Sequence, residues 1–188
     1  MAVAPGAFPA SAAPITFTGL ASGVEVNGLS AGGVLFSYSL GNGNVVIDGG
    51  PGVTNNLNPP NVVSAGDNSG ILTLALPSLE TMFGYGYAIL DTNTVTDATT
   101  ITLFNGATNV GTLSYNGSPD PSFAGGFAGI QSTVPFDSVQ LTFDSVDAPA
   151  FALDNVVFAS VPEPSAILLV LTGAAALFWL RRPKNSHC

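Results

Sequence analysis

Lysine, arginine, histidine and cysteine are missing from nearly all of this chain: none occurs before Arg181. Nucleic-acid binding is therefore excluded for the body of the protein, because neutralising phosphates requires lysine or arginine side chains. A Ser-His or Cys-His pair and a lysine nucleophile are excluded as well, since the necessary side chains are missing. No internal disulfide can form either, because Cys188 is the only cysteine.

The ionisable side chains that remain in the body are mostly carboxylates. The whole chain has twelve Asp and Glu residues and three Lys and Arg residues, which give a formal net charge of −9. Only 8% of all residues are charged. Hydroxyl and amide side chains supply the rest of the polar surface, a composition typical of extracellular β-proteins. Two carboxylates could in principle hydrolyse glycosidic bonds, so a carboxylate-only glycosidase is one alternative function, although no particular pair is indicated.

A β-rich domain is indicated over residues 13–160, where short alternating runs are separated by turn residues. The strands predicted here are 15–18, 34–40, 45–47, 72–76, 82–90, 138–144 and 151–158, with a hairpin over 100–115 that turns at Asn105 and Gly106. Strand 72–76 is expected to end at Pro77 and Ser78. Residues 48–70 predict either a functional loop or a further strand. This spacing, without helices, predicts an antiparallel β-sandwich of jelly-roll type.

Aromatic residues alternate on one predicted strand, at Phe83, Tyr85 and Tyr87, with glycine or alanine between them. Alternate residues share one face of a sheet, so these three rings lie side by side. Tyr85 and Tyr87 are therefore candidate sugar-stacking residues of a carbohydrate-binding module. The alternative is that the rings belong to the core, and the glycines opposite then admit a ligand or a neighbouring segment.

Calcium is the one cofactor that the carboxylates and amides suggest, because it prefers oxygen ligands. The candidate ligand groups are Asp67 with Asn68, Asp91 with Asn93, and Asp154 with Asn155. Asp154 and Asn155 are the most suggestive, since they interrupt an apolar strand in which a buried carboxylate needs a partner. Turn-capping Asp and Asn residues give the same pattern, so both interpretations remain open.

Both ends of the chain differ in composition from the body. Residues 1–12 are interpreted as the remnant of a signal peptide, because Ala10 and Ala12 fit the small-residue cleavage pattern. The basic and apolar regions of a full signal are missing, so an ordinary Ala/Pro-rich disordered terminus is the alternative. At the other end, Val161, Pro162, Glu163 and Pro164 precede an uncharged run over 165–180. As a helix this run spans about 24 Å, slightly less than a bilayer core. Arg181 and Arg182 follow it, and they predict that residues 181–188 are cytoplasmic and the body is outside.

These three parts in order, Val161-Pro162-Glu163-Pro164, a short apolar helix and an arginine-rich end, resemble the PEP-CTERM sorting signal of Gram-negative bacteria. The resemblance covers residues 161–188 and implies processing by an exosortase near the proline motif. It further implies a precursor that is held transiently in the inner membrane with its domain in the periplasm. The mature form is then expected at the cell surface or in the matrix, in organisms that make exopolysaccharide. The expected protein is therefore exported and non-enzymatic, and its alternative function is exopolysaccharide binding.

Overall fold

A computed structural model gives the fold, and the structure describes residues 3–5, 13–144, 146 and 148–160. Its strands are β1 (Val3–Pro5), β2 (Ser30–Ala31), β3 (Val34–Tyr38), β4 (Val45–Asp48), β5 (Asn61–Ser64), β6 (Leu72–Ile89), β7 (Val95–Asn105), β8 (Thr108–Pro119), β9 (Ala124–Phe143) and β10 (Phe151–Ala159). Every pairing among these strands is antiparallel. The described residues contain no helix, which confirms the predicted all-β class.

The two ends of the chain fall largely outside this description. The sorting segment 161–188, with its predicted membrane helix, lies outside the described residues. Of the segment interpreted as a signal-peptide remnant, only Val3–Pro5 is described, and it pairs with residues 130–132 of β9. A search of the described ranges found no helix long and apolar enough to cross a membrane.

Two long strands, β6 and β9, run through both layers of the fold. Residues 72–75 of β6 pair with 138–141 of β9, and residues 82–89 pair with 124–131. The register shifts between these two stretches, as it does where a bulge bends a strand. The first stretch is flanked by β3 and β7, and β8 extends that layer. The second is flanked by β10, followed by β5 and β4.

Aromatic side chains join the two layers. The Tyr85 ring, from the second stretch of β6, lies edge-on to Phe143 near the end of β9, with ring centroids 6.3 Å apart. The Tyr85 hydroxyl is hydrogen-bonded to Thr99 of β7, in the opposite layer. Phe143 in turn stacks on Phe151 of β10, with ring centroids 3.9 Å apart. The layers therefore face each other across one buried core, as in a β-sandwich.

Several predicted elements need correction. The predicted strand end at Pro77 and Ser78 is wrong, because β6 continues through both residues to Ile89. They lie where the β6–β9 register shifts, and a bulge accepts a proline because no ladder partner needs its N–H. The predicted strand 15–18 is reduced to a single bridge between Ile15 and Val156.

Two other expectations hold. Residues 48–70 contain the further strand, β5, which pairs with β4 on one side and β10 on the other. The hairpin is confirmed, since Asn105 pairs with Thr108 across the predicted turn, and its strands are longer than the alternation indicated. The residues between β4 and β5, 49–60, are called the outer loop below.

Candidate functional site

The predicted sugar platform is not at the surface. Tyr85 is 0% exposed and Tyr87 is 1% exposed, so neither ring can stack on a saccharide, and their assignment as sugar-binding residues is corrected to core residues. Thr99 donates its hydroxyl hydrogen to the Thr142 carbonyl, so the Tyr85 O–H donates to Thr99. Tyr87 donates to the Asn116 carbonyl at 2.8 Å. Burial raises the pKa of Tyr85, and it raises that of Tyr87 to about 12.

The opposite face of the same strand is covered by the outer loop. Alternation along β6 directs Gly86 and Ala88 away from the tyrosines. A β-carbon added at Gly86 would lie 2.5 Å from the Asn56 carbonyl oxygen, so the loop backbone approaches the sheet here because glycine has no side chain. The glycines on this face were expected to admit either a ligand or a neighbouring segment. At Gly86 the structure shows a neighbouring segment, the outer loop.

Hydrogen bonds fix the outer loop at both of its sides. Toward the turn before β9, Thr54 Oγ1 donates to the Asp120 carbonyl at 2.9 Å. In the same place, Asn55 Nδ2 donates to the Phe123 carbonyl at 3.2 Å. Toward β10, the Asn58 N–H donates to Asp154 Oδ2 at 3.1 Å. The loop is therefore held across the outer face of the second layer.

An apolar groove of about 210 Å³ lies beside this loop, and we call it the outer groove. It is lined by Gly50, Pro51, Val63, Ala88, Leu90, Phe123, Ala150, Phe151 and Ala152. Its floor is flat because Val63, Ala152 and Ala88 are paired side by side on β5, β10 and β6 and two of them are alanines. Leu57 of the loop packs on the same alanines. The Phe123 ring, at the far side, is half-buried.

The outer groove is lined by apolar residues and glycine. Among the described residues that line it there is no carboxylate, so the acid and base of a glycosidase are not brought together there. Its volume is below the usual 300–1,000 Å³ of ligand pockets.

Asp154 is buried beneath the outer loop. It is 0% exposed, and its Oδ1 has no hydrogen-bond partner among the described residues. Burial raises the pKa of its carboxyl group, although backbone N–H groups of Asn155 and Asn58 oppose the rise. Asn155 occupies a bulge of β10 in a left-handed conformation with φ of 53°, and its Nδ2 donates to the Asn56 carbonyl at 2.5 Å. Its amide therefore holds the loop.

Sequence reasoning missed Asn61, the residue whose environment is most like that of Asp154. It is 0% exposed, and in the described ranges its Oδ1 also has no hydrogen-bond partner. The asparagines of the loop-like stretch 48–70 are indistinguishable in sequence, and only the pairing of β5 with β10 selects this one. No sequence signal could have singled it out.

The other predicted calcium pairs cap turns or contact the backbone. Asp67 Oδ1 accepts hydrogen bonds from the N–H and hydroxyl of Ser69, which lower the pKa of Asp67. Asn68 Nδ2 donates to the Ala148 carbonyl at 2.8 Å. Asp91 Oδ1 accepts the Asn93 N–H at 2.6 Å, as a turn-capping aspartate does. The described ranges hold no group of three or more His, Cys, Asp or Glu side chains placed to bind a metal ion.

Comparison with known proteins finds likeness in structure alone. No protein-family model matches the chain, and no curated protein matches it. The K2 cleaved adhesin domain of Lys-gingipain superposes with a TM-score of 0.53 at 14% identity, covering 81% of this chain and 100% of that domain. The likeness is one of fold. A variant of the carbohydrate-binding module CBM29-2 gives a TM-score of 0.41 at 12% identity, covering 80% of this chain and 92% of the module.

Proposed function

We propose that this protein is an exported, non-enzymatic β-sandwich module of the bacterial surface, sorted by a PEP-CTERM signal at its C-terminus. The observation that carries this proposal is the order of residues 161–188: the motif Val161–Pro164, the uncharged run 165–180, then Arg181 and Arg182. The arginines orient the precursor with its C-terminus in the cytoplasm and its domain in the periplasm. An exosortase then cleaves near the motif, and the domain is released to the cell surface or matrix.

The character of the body supports an exported module without catalytic activity. Residues 13–160 contain no lysine, arginine, histidine or cysteine, which removes the commonest nucleophiles and bases. We assign the sandwich to the jelly-roll type, because its pairings are antiparallel and strands distant in sequence are neighbours, such as β10 between β5 and β6. The similarity in fold to an adhesin domain agrees with such a module, although it identifies no ligand.

Replacing Pro162 and Pro164 together by alanine is expected to block processing. Prolines keep the segment extended and accessible to an enzyme, whereas alanines allow the membrane helix to extend into it. In a host with an exosortase, intact-mass spectrometry of membrane and surface fractions should show at least tenfold accumulation of the uncleaved precursor. Pro149→Ala, at an exposed position of the body, is the control and should be processed normally. A mature surface form that retains Arg181–Cys188 would contradict processing.

Binding of a neutral polysaccharide in the outer groove is the second candidate function. Phe123 supplies an aromatic ring, and apolar faces of this kind stack on the C–H face of a sugar. Hydroxyl, amide and carboxylate groups of Thr54, Asn55 and Asp120 lie along the adjoining turn. A neutral ligand is favoured, because the body has no positive side chain to attract an acidic polymer.

Phe123→Ala is expected to weaken polysaccharide binding about five- to tenfold, which corresponds to roughly 1–1.4 kcal/mol for the loss of one aromatic contact. Affinity electrophoresis in gels containing neutral bacterial exopolysaccharides measures the effect. Phe104→Ala is the matched control, since Phe104 is also half-buried but belongs to β7 in the other layer. Equal retardation of wild type and Phe123→Ala would remove the groove as the binding site.

A further inference from the structure

Asp48, Asn61 and Asp154 form a row across the outer face of the second layer. Asp48 is paired with Asn61 between β4 and β5. Between β5 and β10, Val62 is paired with Leu153, and continuing this register sets Asn61 opposite Asp154. Opposed residues of antiparallel strands have Cβ atoms about 4.5–5.5 Å apart, so their side chains meet.

Within the part of the chain that the structure describes, two oxygens in this row have no hydrogen-bond partner. They are Asn61 Oδ1 and Asp154 Oδ1, and both residues are 0% exposed. The Asn61 amide is held in orientation because its Nδ2 donates to the Gly50 carbonyl at 3.1 Å. Asp154 is likewise held through its Oδ2, which accepts the Asn58 N–H at 3.1 Å. A buried polar atom without a partner destabilises the folded state, so each of these acceptors calls for a partner, and the strand register sets the two residues opposite each other.

The partner cannot be a basic side chain of the body, because residues 13–160 contain none. A hard cation satisfies both oxygens at once, and calcium accepts carboxylate, amide and backbone oxygens in flexible geometry. We propose that Asn61 Oδ1 and Asp154 Oδ1 are two protein ligands of a calcium ion bound between β5, β10 and the outer loop. Asp48 lies next in the row, where its Oδ1 accepts hydrogen bonds from the Gly49 N–H and the Ser22 hydroxyl.

Bound calcium would fasten the outer loop to the sheet. Asn61 contacts the loop at Gly50, and Asp154 contacts it at Asn58, so both ligands are joined to it already. Gly50 also lines the outer groove. The ion therefore stabilises one wall of that groove. This inference does not depend on the sorting signal or on polysaccharide binding, because the ion site is defined by the sheet itself.

Calcium is expected to raise the melting temperature of the full chain after treatment with EDTA. With a dissociation constant of about 0.1–1 mM, as in extracellular modules, 10 mM calcium should raise Tm by roughly 3–10 °C. Isothermal titration calorimetry should detect one site. Asp154→Asn keeps the shape of the side chain but removes its charge, so it should weaken calcium binding at least tenfold. Asp91→Asn, at a turn-capping aspartate, should retain the full response.

The pH dependence of Tm distinguishes a bound calcium ion from the simplest alternative, in which Asp154 is protonated. A raised pKa in the folded state means that folding favours the protonated form. Without calcium, the contribution of Asp154 to stability is therefore full below its ordinary pKa near 3.8 and is lost as the pH rises through the raised value. The residues facing Asp154 are Asn58, Asn61 and Gly86, and Asp48 is the carboxylate that shares the row.

Calcium should restore this lost stability at neutral pH in the wild type and not in Asp154→Asn. The proposal is overturned if Tm and the titration heats are the same in calcium and in EDTA. If Tm also falls with rising pH in the wild type alone, that result assigns the site to a proton. An undiminished calcium response in Asp154→Asn would also overturn it, since the ion would then bind elsewhere.

Discussion

Tyr85→Ala is expected to lower the free energy of unfolding by about 3–5 kcal/mol, the usual cost of truncating a large buried aromatic residue. The ring is 0% exposed and contacts Phe83, Tyr87 and Phe143, with ring centroids 5.8, 6.0 and 6.3 Å away. Its removal leaves a cavity between the two layers, and it leaves Thr99 without its hydrogen-bond donor. Domains of this kind have a total stability of about 5–15 kcal/mol, so this single change removes a large fraction of it.

Urea unfolding followed by circular dichroism measures the change, and two further variants make it interpretable. Tyr85→Phe keeps the ring and removes only the hydroxyl, so it should cost about 1–2 kcal/mol. Leu79→Ala removes an apolar side chain that is 54% exposed and should stay within about 0.5 kcal/mol of the wild type. A Tyr85→Ala protein as stable as Leu79→Ala would show that the ring does not fill the core.

Alternation identified the shared face of Phe83, Tyr85 and Tyr87 but could not say what covers it. Period-two alternation assigns side chains to faces, and both faces of this strand are covered: one by the opposite layer, the other by the outer loop at Gly86. Which face meets the core depends on contacts between residues distant in sequence. The aromatic face could therefore be interpreted either as a sugar-binding surface or as part of the core. The burial of Tyr85 and Tyr87 shows that it is part of the core.

Local signals also predicted the hairpin correctly and the end of β6 incorrectly, for one physical reason. The turn at Asn105 and Gly106 is decided by neighbouring residues, and Gly106 adopts the positive φ of 57° that glycine permits. Pro77 and Ser78 also form a turn signal, but pairing with β9 continues on both sides of them, so the strand bends instead of ending. Tertiary pairing overrides local preference there.

The candidate calcium site shows the same limit. Asp154 is unusual in the sequence, because a carboxylate interrupts an apolar strand, and its burial agrees with that signal. Asn61 carries no such signal, since it lies in a stretch rich in asparagine, glycine and proline. Its position becomes distinctive only when β5 is paired between β4 and β10, which sets it opposite Asp154. The sequence pattern selects Asp154 as a candidate ligand, whereas the register is needed to select Asn61.

Gly125→Ala is expected to destabilise the protein by about 3 kcal/mol or more, at the upper end of overpacking effects. Gly125 is paired with Ala88 between β9 and β6. An added β-carbon would lie 2.1 Å from the Tyr87 carbonyl oxygen and 2.8 Å from the Ala88 α-carbon. Both atoms belong to the backbone, so no side-chain rotation relieves the clash, and the two central strands of the second layer must separate locally.

Gly126→Ala is the matched control, because it makes the same chemical change one residue further along β9. The nearest atom to its added β-carbon is the Tyr87 hydroxyl oxygen at 3.9 Å, an ordinary van der Waals distance. Its stability should stay within about 0.5 kcal/mol of the wild type. Urea midpoints of the two variants measure the contrast. Equal midpoints would mean that β6 and β9 do not approach each other this closely at Gly125. The pairing of Gly125 with Ala88, which lines the outer groove, would then not hold the floor of that groove in place.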